Sequence, residues 1–418
     1  MLLYVNWDGF SYDWYDMARR DGGTPNLDRM AREGAILRAH RCGIPAITNP
    51  MQQTLVSGAW PEKTGNCYVY FDKALGRPVP TLRTNHCENI AEAALRQGKT
   101  CASVHGWYFE NRGCVPGDAA RPYIQNNLPN FETRVSLLMD YLAGKPVPSG
   151  ERTITMARRP DFLALYADDI DSVCHNGKRL PYLELSRART LSAWYDNLTY
   201  AVRRMDRALG RLLALPDTTV ALAADHGGMP FYTAMNGVSD AEAKKERLAP
   251  LVEAIRRAGI DPFIWTRPDD TLPASAQAVL LPMGTQALLT YLTEPGAGRR
   301  GAVLQNVSAL PFVHQCLDKR AQEAYGARKD FCDVYITSRA PYAWGGEAAD
   351  DFVGGSHAAM AESVMHVFCA FMGAGIRRGV SVEEQTDLTD FAPTLAALLH
   401  IAPPKDATGR VLTEILED

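Results

Sequence analysis

The sequence predicts an α/β fold: a mainly parallel central sheet flanked by helices, with a smaller α+β cap inserted into it. Three observations lead there. Leu2–Val5, Phe162–Ala167 and Thr219–Ala224 are short unbroken apolar runs, as strands buried on both faces require, and an acidic residue follows each within a few positions. Helical patterns alternate with these runs, as crossover connections between parallel strands do. After Gly228 the texture changes: residues 229–352 bring a charged helical stretch, Pro-rich turns and two further β-like runs before the apolar pattern resumes. The expected division is a core of 1–228 with 353–418, and a cap of 229–352.

In chain order, Leu2–Val5 is the first strand and Asp8-Gly9 turns it. Thr24 caps a helix with Pro25 at its first position, and Gly34 closes it. Residues 35–40 form a second strand. Pro45–Gly58 is a loop, with the Thr48 hydroxyl close to Pro50, that runs into helix-compatible spacing. Ala59–His86, rich in Pro, Gly and Asn, reads as irregular. Glu88–Gln97 is a helix ended by Gly98, Thr100–Val104 is a strand, and 105–150 yields no assignment. Ser186–Leu215 is a long helix, with Leu198, Val202, Met205, Leu209 and Leu212 at three- and four-residue steps. The cap holds a helix over Asp240–Ala258, strands over Ala278–Met283 and Ala287–Thr293, and a helix near 311–325. Val364–Met372 is a strongly apolar strand, and Asp390–Leu399 an amphipathic helix before Pro403-Pro404.

Composition narrows the partners. Apolar residues make up 46% and charged ones 22%, which suits a globular enzyme with a sizeable core. The 44 basic and 48 acidic residues leave a net charge of −4, so nothing electrostatic favours a nucleic-acid polymer. Nine cysteines at irregular spacing, with no CxxC pair, imply reduced thiols rather than a disulfide framework. Met1–Asp8 has no basic region and no apolar run of signal-peptide length, and no stretch reaches the length of a membrane span. The expectation is a cytoplasmic protein without a membrane partner.

Asp8, Asp171 and Asp225 each stand at or just beyond the carboxyl end of an expected buried strand, the edge where open α/β sheets bind ligands. His175 follows Asp171 by four residues, His226 adjoins Asp225, and His357 ends Gly354-Gly355-Ser356-His357. Mixed Asp and His donors suit Zn²⁺ or a similar divalent ion. Each residue also has a plainer reading. Asp8 before Gly9 is a turn residue, Asp171 with His175 an i,i+4 surface pair, Asp225-His226 a helix cap, and His357 a solvent-facing loop residue. The joint order along one sheet edge is what none of these explains. Thr48 likewise reads as an N-cap, or as a hydroxyl held among the N–H donors of a helix N-terminus, where a phosphate oxygen is welcome.

The order Asp8, Thr48, Asp171-x-x-x-His175, Asp225-His226-Gly227 and His357 resembles the alkaline phosphatase superfamily. Within it the chain is similar to the nucleotide pyrophosphatase/phosphodiesterase (type I phosphodiesterase) group. The resemblance also rests on Thr24-Pro-Asn-Leu-Asp28, Thr54-Leu-Val-Ser-Gly58, Trp60-Pro61-Glu62, Met229 and Thr386-Asp-Leu-Thr-Asp-Phe-Ala-Pro-Thr394. It covers 1–228 and 353–418, and implies an alkaline phosphatase-like core. It further implies Thr48 as nucleophile, bound with Asp8, Asp225 and His226 to one Zn²⁺, and Asp171, His175 and His357 on a second, or similar divalent transition metals in both places. Two such ions and three carboxylates leave a net charge of about +1, attractive to a phosphoryl anion. The implied reaction is hydrolysis of a small-molecule phosphodiester or pyrophosphate through a phospho-threonine.

Several positions depart from the pattern. Met51 and Val69 stand where the family carries asparagines; Asn49, Asn66 or a backbone N–H would have to substitute. Cys174 and Ala358 replace glycines beside His175 and His357. Thr48-Asn49-Pro50 is similar instead to phosphonoacetate hydrolases, so a phosphonate hydrolase or phosphomonoesterase on the same site is the alternative reading, and a non-catalytic metal-binding protein a third. A sulfatase is set aside, because Thr48 cannot form the required aldehyde and Gln52 stands where that branch has Arg. Tyr68, Tyr70, Trp107 and Tyr108 offer either a stacking surface or ordinary packing, with Tyr108 taken as a substrate contact beside Asn49 and Asn66. Arg158, Arg159 and Lys178 either meet a substrate anion or are solvated.

Overall fold

Runs too uniformly apolar to leave a face in water belong in the middle of a sheet, and Leu2–Trp7, Phe162–Ala167 and Thr219–Ala223 are buried at every residue. The computed structural model of the chain describes residues 1–127, 129–177, 179–231, 241–342, 344 and 354–417. In chain order, the strands of its two larger sheets are β1 (Leu2–Trp7), β2 (Ala35–Arg41), β3 (Cys101–Val104), β4 (Tyr123–Ile124), β5 (Phe162–Ala167), β6 (Thr219–Ala223), β7 (Pro262–Ile264), β8 (Ala278–Met283), β9 (Gln286–Tyr291), β10 (Val313–Asp318), β11 (Val334–Ser338), β12 (Cys369–Met372) and β13 (Val380–Asp387). The main sheet runs β13-β2-β12-β6-β1-β5-β3-β4. Only β12 is antiparallel to its neighbours. The chain thus has the mainly parallel α/β sheet that its apolar runs predict.

The second sheet runs β7-β8-β9-β11-β10 and is mixed. Its two faces go to different places, as strand alternation requires. Val279, Leu281, Leu288 and Tyr335 join the continuous apolar cluster of the main sheet. Leu280, Leu289, Val334 and Ile336 form a separate cluster with Leu251 and Ile255 of the Ala241–Arg256 helix and Val303 and Val307 of the Ala297–Ser308 helix.

The structure corrects four local expectations. Residues 311–325 are not one helix: β10 pairs antiparallel with β11, and only Lys319–Glu323 is helical. The helix of this region is Ala297–Ser308, which opens through Gly296, Gly298 and Gly301 with no side-chain cap and so gave little helical signal. Ala59–His86 contains a hairpin, Val69–Asp72 with Arg77–Pro80. In Val364–Met372, a turn of helix over Glu362–Met365 precedes the strand. All nine thiols are free. Among the described residues no helix is long and apolar enough to cross a membrane.

The fourth correction concerns Thr24. It stands at the cap of the Pro25–Glu33 helix but makes no cap bond, and its hydroxyl is buried without a partner. The cap comes from elsewhere. Asp206, fully buried on the Leu191–Leu213 helix, accepts from Leu27 N at 2.7 Å and Asn26 N at 3.2 Å, and so ties two helices together. Asp206→Ala leaves those N–H groups buried and unpaired and should cost about 1–3 kcal/mol, read as a lower denaturation midpoint. Thr24→Val should be neutral or stabilising, and a larger loss for Thr24→Val than for Asp206→Ala would reverse the assignment.

Candidate active site

β1 lies between β5 and β6, in register Leu2 with Phe162 and with Thr219, so the residues beyond their carboxyl ends arrive together. Asp8 follows β1, Asp225 follows β6, and Asp171 sits in the short helix Asp169–Cys174 after β5. Gly9 permits the convergence. Its φ is +74°, and a Cβ there would stand 3.0 Å from Asp171 Cα. Gly9 N donates to Asp225 Oδ1 at 3.2 Å, and Asp171 N to Asp8 O at 3.2 Å.

The histidines close around these acids. His226 Nε2 is 3.2 Å from Asp8 Oδ1 and 3.5 Å from Asp225 Oδ2. His175 Nε2 is 3.3 Å and His357 Nε2 3.8 Å from Asp171 Oδ1. The far ring nitrogens are committed for two of them: His226 Nδ1 to Gly227 O at 2.9 Å and His175 Nδ1 to Gly355 O at 3.1 Å, which turns each Nε2 toward the acids. Tyr166 OH donates to Asp8 Oδ2 at 2.5 Å.

Thr48 opens the helix Thr48–Ser57 as its first residue. The cap position is Ile47, which offers no side-chain bond, so the N-cap reading of Thr48 fails. Its hydroxyl lies 3.3 Å from Asp8 Oδ1 and 3.0 Å from His226 Nε2. One turn on, Gln52 Nε2 donates to Asn6 Oδ1 at 2.5 Å, and Asn6 Nδ2 to Ala223 O at 3.0 Å. The helix is therefore pinned to the middle of the sheet directly behind the site.

The charges in this cluster do not balance by themselves. Burial, then the charge of Asp171, pushes the Asp8 carboxyl up; burial, then Asp8, holds Asp225 well above the usual carboxylate range. Burial opposes the His226 imidazolium, yet Asp225 and Asp8 raise it to about 10. Burial also opposes ionisation of Asp171, but His175, His357 and His226 outweigh it and hold that carboxyl low. Asp171 raises His175, while burial, His226 and His175 push His357 well down. Asp225 Oδ2, Asp171 Oδ1 and His357 Nδ1 are buried with no hydrogen-bond partner among the described residues. Asp8, Asp225 and His226 offer three donor atoms within 4.8 Å of one another, as do Asp171, His226 and His357. Unpartnered carboxylate oxygens among converging imidazoles fit divalent cations. His175 lies outside the second group although it touches Asp171.

Beside Thr48 opens a cleft of about 370 Å³, lined among others by Asn49, Tyr68, Met283, Gln286, Ser356 and His357. Of the three residues expected to contact substrate, only Asn49 lines it. Asn66 is fully buried and spent on the chain: Nδ2 donates to Leu82 O and Thr84 O, and Oδ1 accepts from Tyr68 N. Tyr108 is buried among Tyr4, Phe109 and Tyr166. The aromatic ring at the cleft belongs to Tyr68, held at φ +68° by Asn66. Arg158 and Arg159 lie at the opposite end of the strands, with Asp161 and Pro216. Lys178 lies outside the described residues. Cys174 fills the space over Gly355, where a Cβ would come within 2.5 Å of its sulfur. Ala358 holds φ +74°, its N–H bonded to Ala46 O and its carbonyl accepting Tyr335 OH. Neither Gln286 nor the support Tyr166 was singled out from the sequence, and Gln52 only as the residue that stands where a sulfatase has Arg; their roles depend on long-range pairing, which no local pattern encodes.

Known proteins share this fold. The chain aligns over 132 residues with the alkaline phosphatase PhoV of Synechococcus elongatus at 30% identity, a stretch that covers 32% of this chain and 22% of that protein. Murine ectonucleotide pyrophosphatase/phosphodiesterase 5 superposes with a TM-score of 0.62 at 17% identity, over 100% of both chains. The alkaline phosphatase PafA gives 0.62 at 16%, over 100% of this chain and 99% of that one. These two likenesses fix the fold. Residues 2–359 match the type I phosphodiesterase / nucleotide pyrophosphatase family, and the chain belongs to that family, a hydrolase branch of the alkaline phosphatase superfamily.

Proposed function

We propose that the chain is a two-metal phosphohydrolase that cleaves phosphodiester or pyrophosphate bonds of small molecules with Thr48 as nucleophile. One observation carries this reading. The Thr48 hydroxyl sits at a helix N-terminus yet bonds to Asp8 and His226 rather than to the backbone. Asp8, Asp225 and His226, with Thr48, would hold one ion, and Asp171, His175 and His357 a second; the Asp and His donors suit Zn²⁺. Such ions supply, when bound, Lewis-acid stabilisation of the phosphoryl oxygens and of the ionised Thr48 hydroxyl.

The rest falls to the chain. Thr48 Oγ1 forms a bond to phosphorus as the bond to the leaving oxygen breaks, and the leaving group departs with that electron pair. The hydroxyl proton faces Asp8 Oδ1 and His226 Nε2. Water then cleaves the phospho-threonine, and Thr48 regains a proton. The N–H groups and positive dipole end of the Thr48–Ser57 helix favour the anionic phosphoryl group. Asn49 stands in the cleft as a donor where Met51 and Val69 cannot serve; the Met51 sulfur accepts from Gly43 N at 3.3 Å instead. Residues 229–352 act as the cap, a reading supported by Met283 and Gln286, which line the same cleft as Thr48. No Lys or Arg is among the described residues that line it, which favours a diester over a monoester or a carboxylated phosphonate with more charge to neutralise.

A panel of p-nitrophenyl diester, monoester and phosphonate substrates with added Zn²⁺ tests the reading, and the diester should lead. Thr48→Ala should lower kcat by roughly three orders of magnitude or more, because nucleophile and activating ions act as one unit; Thr48→Ser should retain partial activity. Turnover near the wild-type rate in Thr48→Ala would place the nucleophile elsewhere.

Elemental analysis of protein purified without chelator should give two transition-metal ions per chain, with binding accompanied by proton release because the ligands must be deprotonated. Asp171→Ala should lose mainly one ion. Full occupancy in that variant would overturn the ligand assignment.

A further inference from the structure

The cleft beside Thr48 contains a group that the reaction has not used. Gln286 opens β9 just after the tight turn from β8. It is 1% exposed, and neither Nε2 nor Oε1 has a hydrogen-bond partner among the described residues. Its cross-strand neighbour Thr337 does not supply one, for that hydroxyl is also buried and unpartnered. Folded chains rarely bury an amide with both ends open, and such a group calls for a partner from outside the protein.

The turn that carries Gln286 is fixed against the site. Ser338 N donates to Thr285 O and Trp344 N to Gly284 O, both at 2.8 Å, while the Thr285 hydroxyl donates to the carbonyl of His357. The backbone that carries Gln286 is therefore tied to a residue of the acid–imidazole cluster. Its neighbours in the cleft are uncharged: Asn49, Tyr68, Met283 and Ser356.

This inference rests on the phosphohydrolase reading above. We propose that Gln286 is a specificity-determining residue whose amide pairs with a flat, uncharged group that carries a donor and an acceptor side by side on one substituent of the phosphate ester. The lactam edge of a pyrimidine base has that form. A primary amide presents the matching pair, N–H and C=O, at one end of a planar group. A carboxylate or second phosphate would face the Oε1 dipole and meet no Lys or Arg among the described lining residues. A plain aromatic or aliphatic substituent would leave both ends of the amide unpaired, which is how a hydrogen-bonding site rejects an analogue. Tyr68, fixed by Asn66, gives a flat group a ring to lie against.

The test compares the metal-loaded wild type with Gln286→Leu and the shape-keeping Gln286→Met. Thymidine 5′-(p-nitrophenyl) phosphate carries the donor–acceptor edge and bis(p-nitrophenyl) phosphate lacks it. In both variants kcat/KM on the first should fall roughly ten- to hundredfold, chiefly through KM, while the second changes by less than about twofold. Calorimetric affinity for thymidine 5′-monophosphate should weaken by a similar factor, with phenyl phosphate unaffected. Melting temperatures should stay level or rise, because an unpaired buried amide has been removed. Equal losses on both substrates with lower melting temperatures would make Gln286 a structural residue and overturn the proposal, as would no change on either. If the wild type turns over neither diester, the phosphohydrolase reading falls, and the two binding affinities still decide the role of Gln286.

Discussion

The structure depends on keeping three carboxylates together out of water. Asp8, Asp171 and Asp225 reach one sheet edge because β5, β1 and β6 are adjacent, parallel and in step. Like charges a few ångströms apart in a poorly polarisable surround repel strongly. In the chain alone, protons and imidazoles offset this: Asp8 and Asp225 are pushed up, and His226 is drawn up to about 10. Divalent cations would replace those protons with a fixed, larger charge and leave an electropositive surface toward an incoming phosphoryl group. Folding and chemistry thus share one electrostatic problem. The arrangement that burdens the fold is the one that a metal ion would relieve.

The burden is carried by a rigid surround. Gly9 lets Asp171 approach, Tyr166 and Thr48 bond to Asp8, and two main-chain carbonyls orient His226 and His175. Gln52 and Asn6 tie the Thr48–Ser57 helix to β6. Ala358, in a left-handed conformation that costs an alanine about 1 kcal/mol, is held by bonds on both sides next to His357. Strain of this kind persists where the neighbours over-determine it.

How much of this the sequence disclosed follows from the range of the interactions. The three central strands and their terminal acids were legible because burial on both faces writes itself as a continuous apolar run, and the site residues sit at the ends of those runs. Thr48 was legible as a hydroxyl entering a helix, but its partners were not, since Asp8 and His226 lie 40 and 178 residues away. β10 was mistaken for helix because an edge strand of six residues takes its identity from β11. Asn66 and Tyr108 looked available for substrate, yet one holds the turn before Tyr68 and the other fills the layer beneath β1. Gln286 gave no signal. Its burial and its lack of partners follow from pairing with β8 and β11, which one chain read in order cannot display.

That last residue also bears on how the cleft obtains its shape. The β7–β11 sheet does not stand apart from the main core: Val279, Leu281, Leu288 and Tyr335 belong to the same apolar cluster as β1 and β5. Swinging this sheet away as a rigid unit would expose those side chains at about 25 cal/mol per Å² of apolar surface. It would also break the Thr285 bond to the His357 carbonyl. The backbone of Gln286 is therefore set in place before a ligand arrives, rather than brought to it by closure. A cleft built in this way selects by the chemistry of its fixed groups, since a preformed amide with no internal partner favours ligands that satisfy it and penalises those that do not.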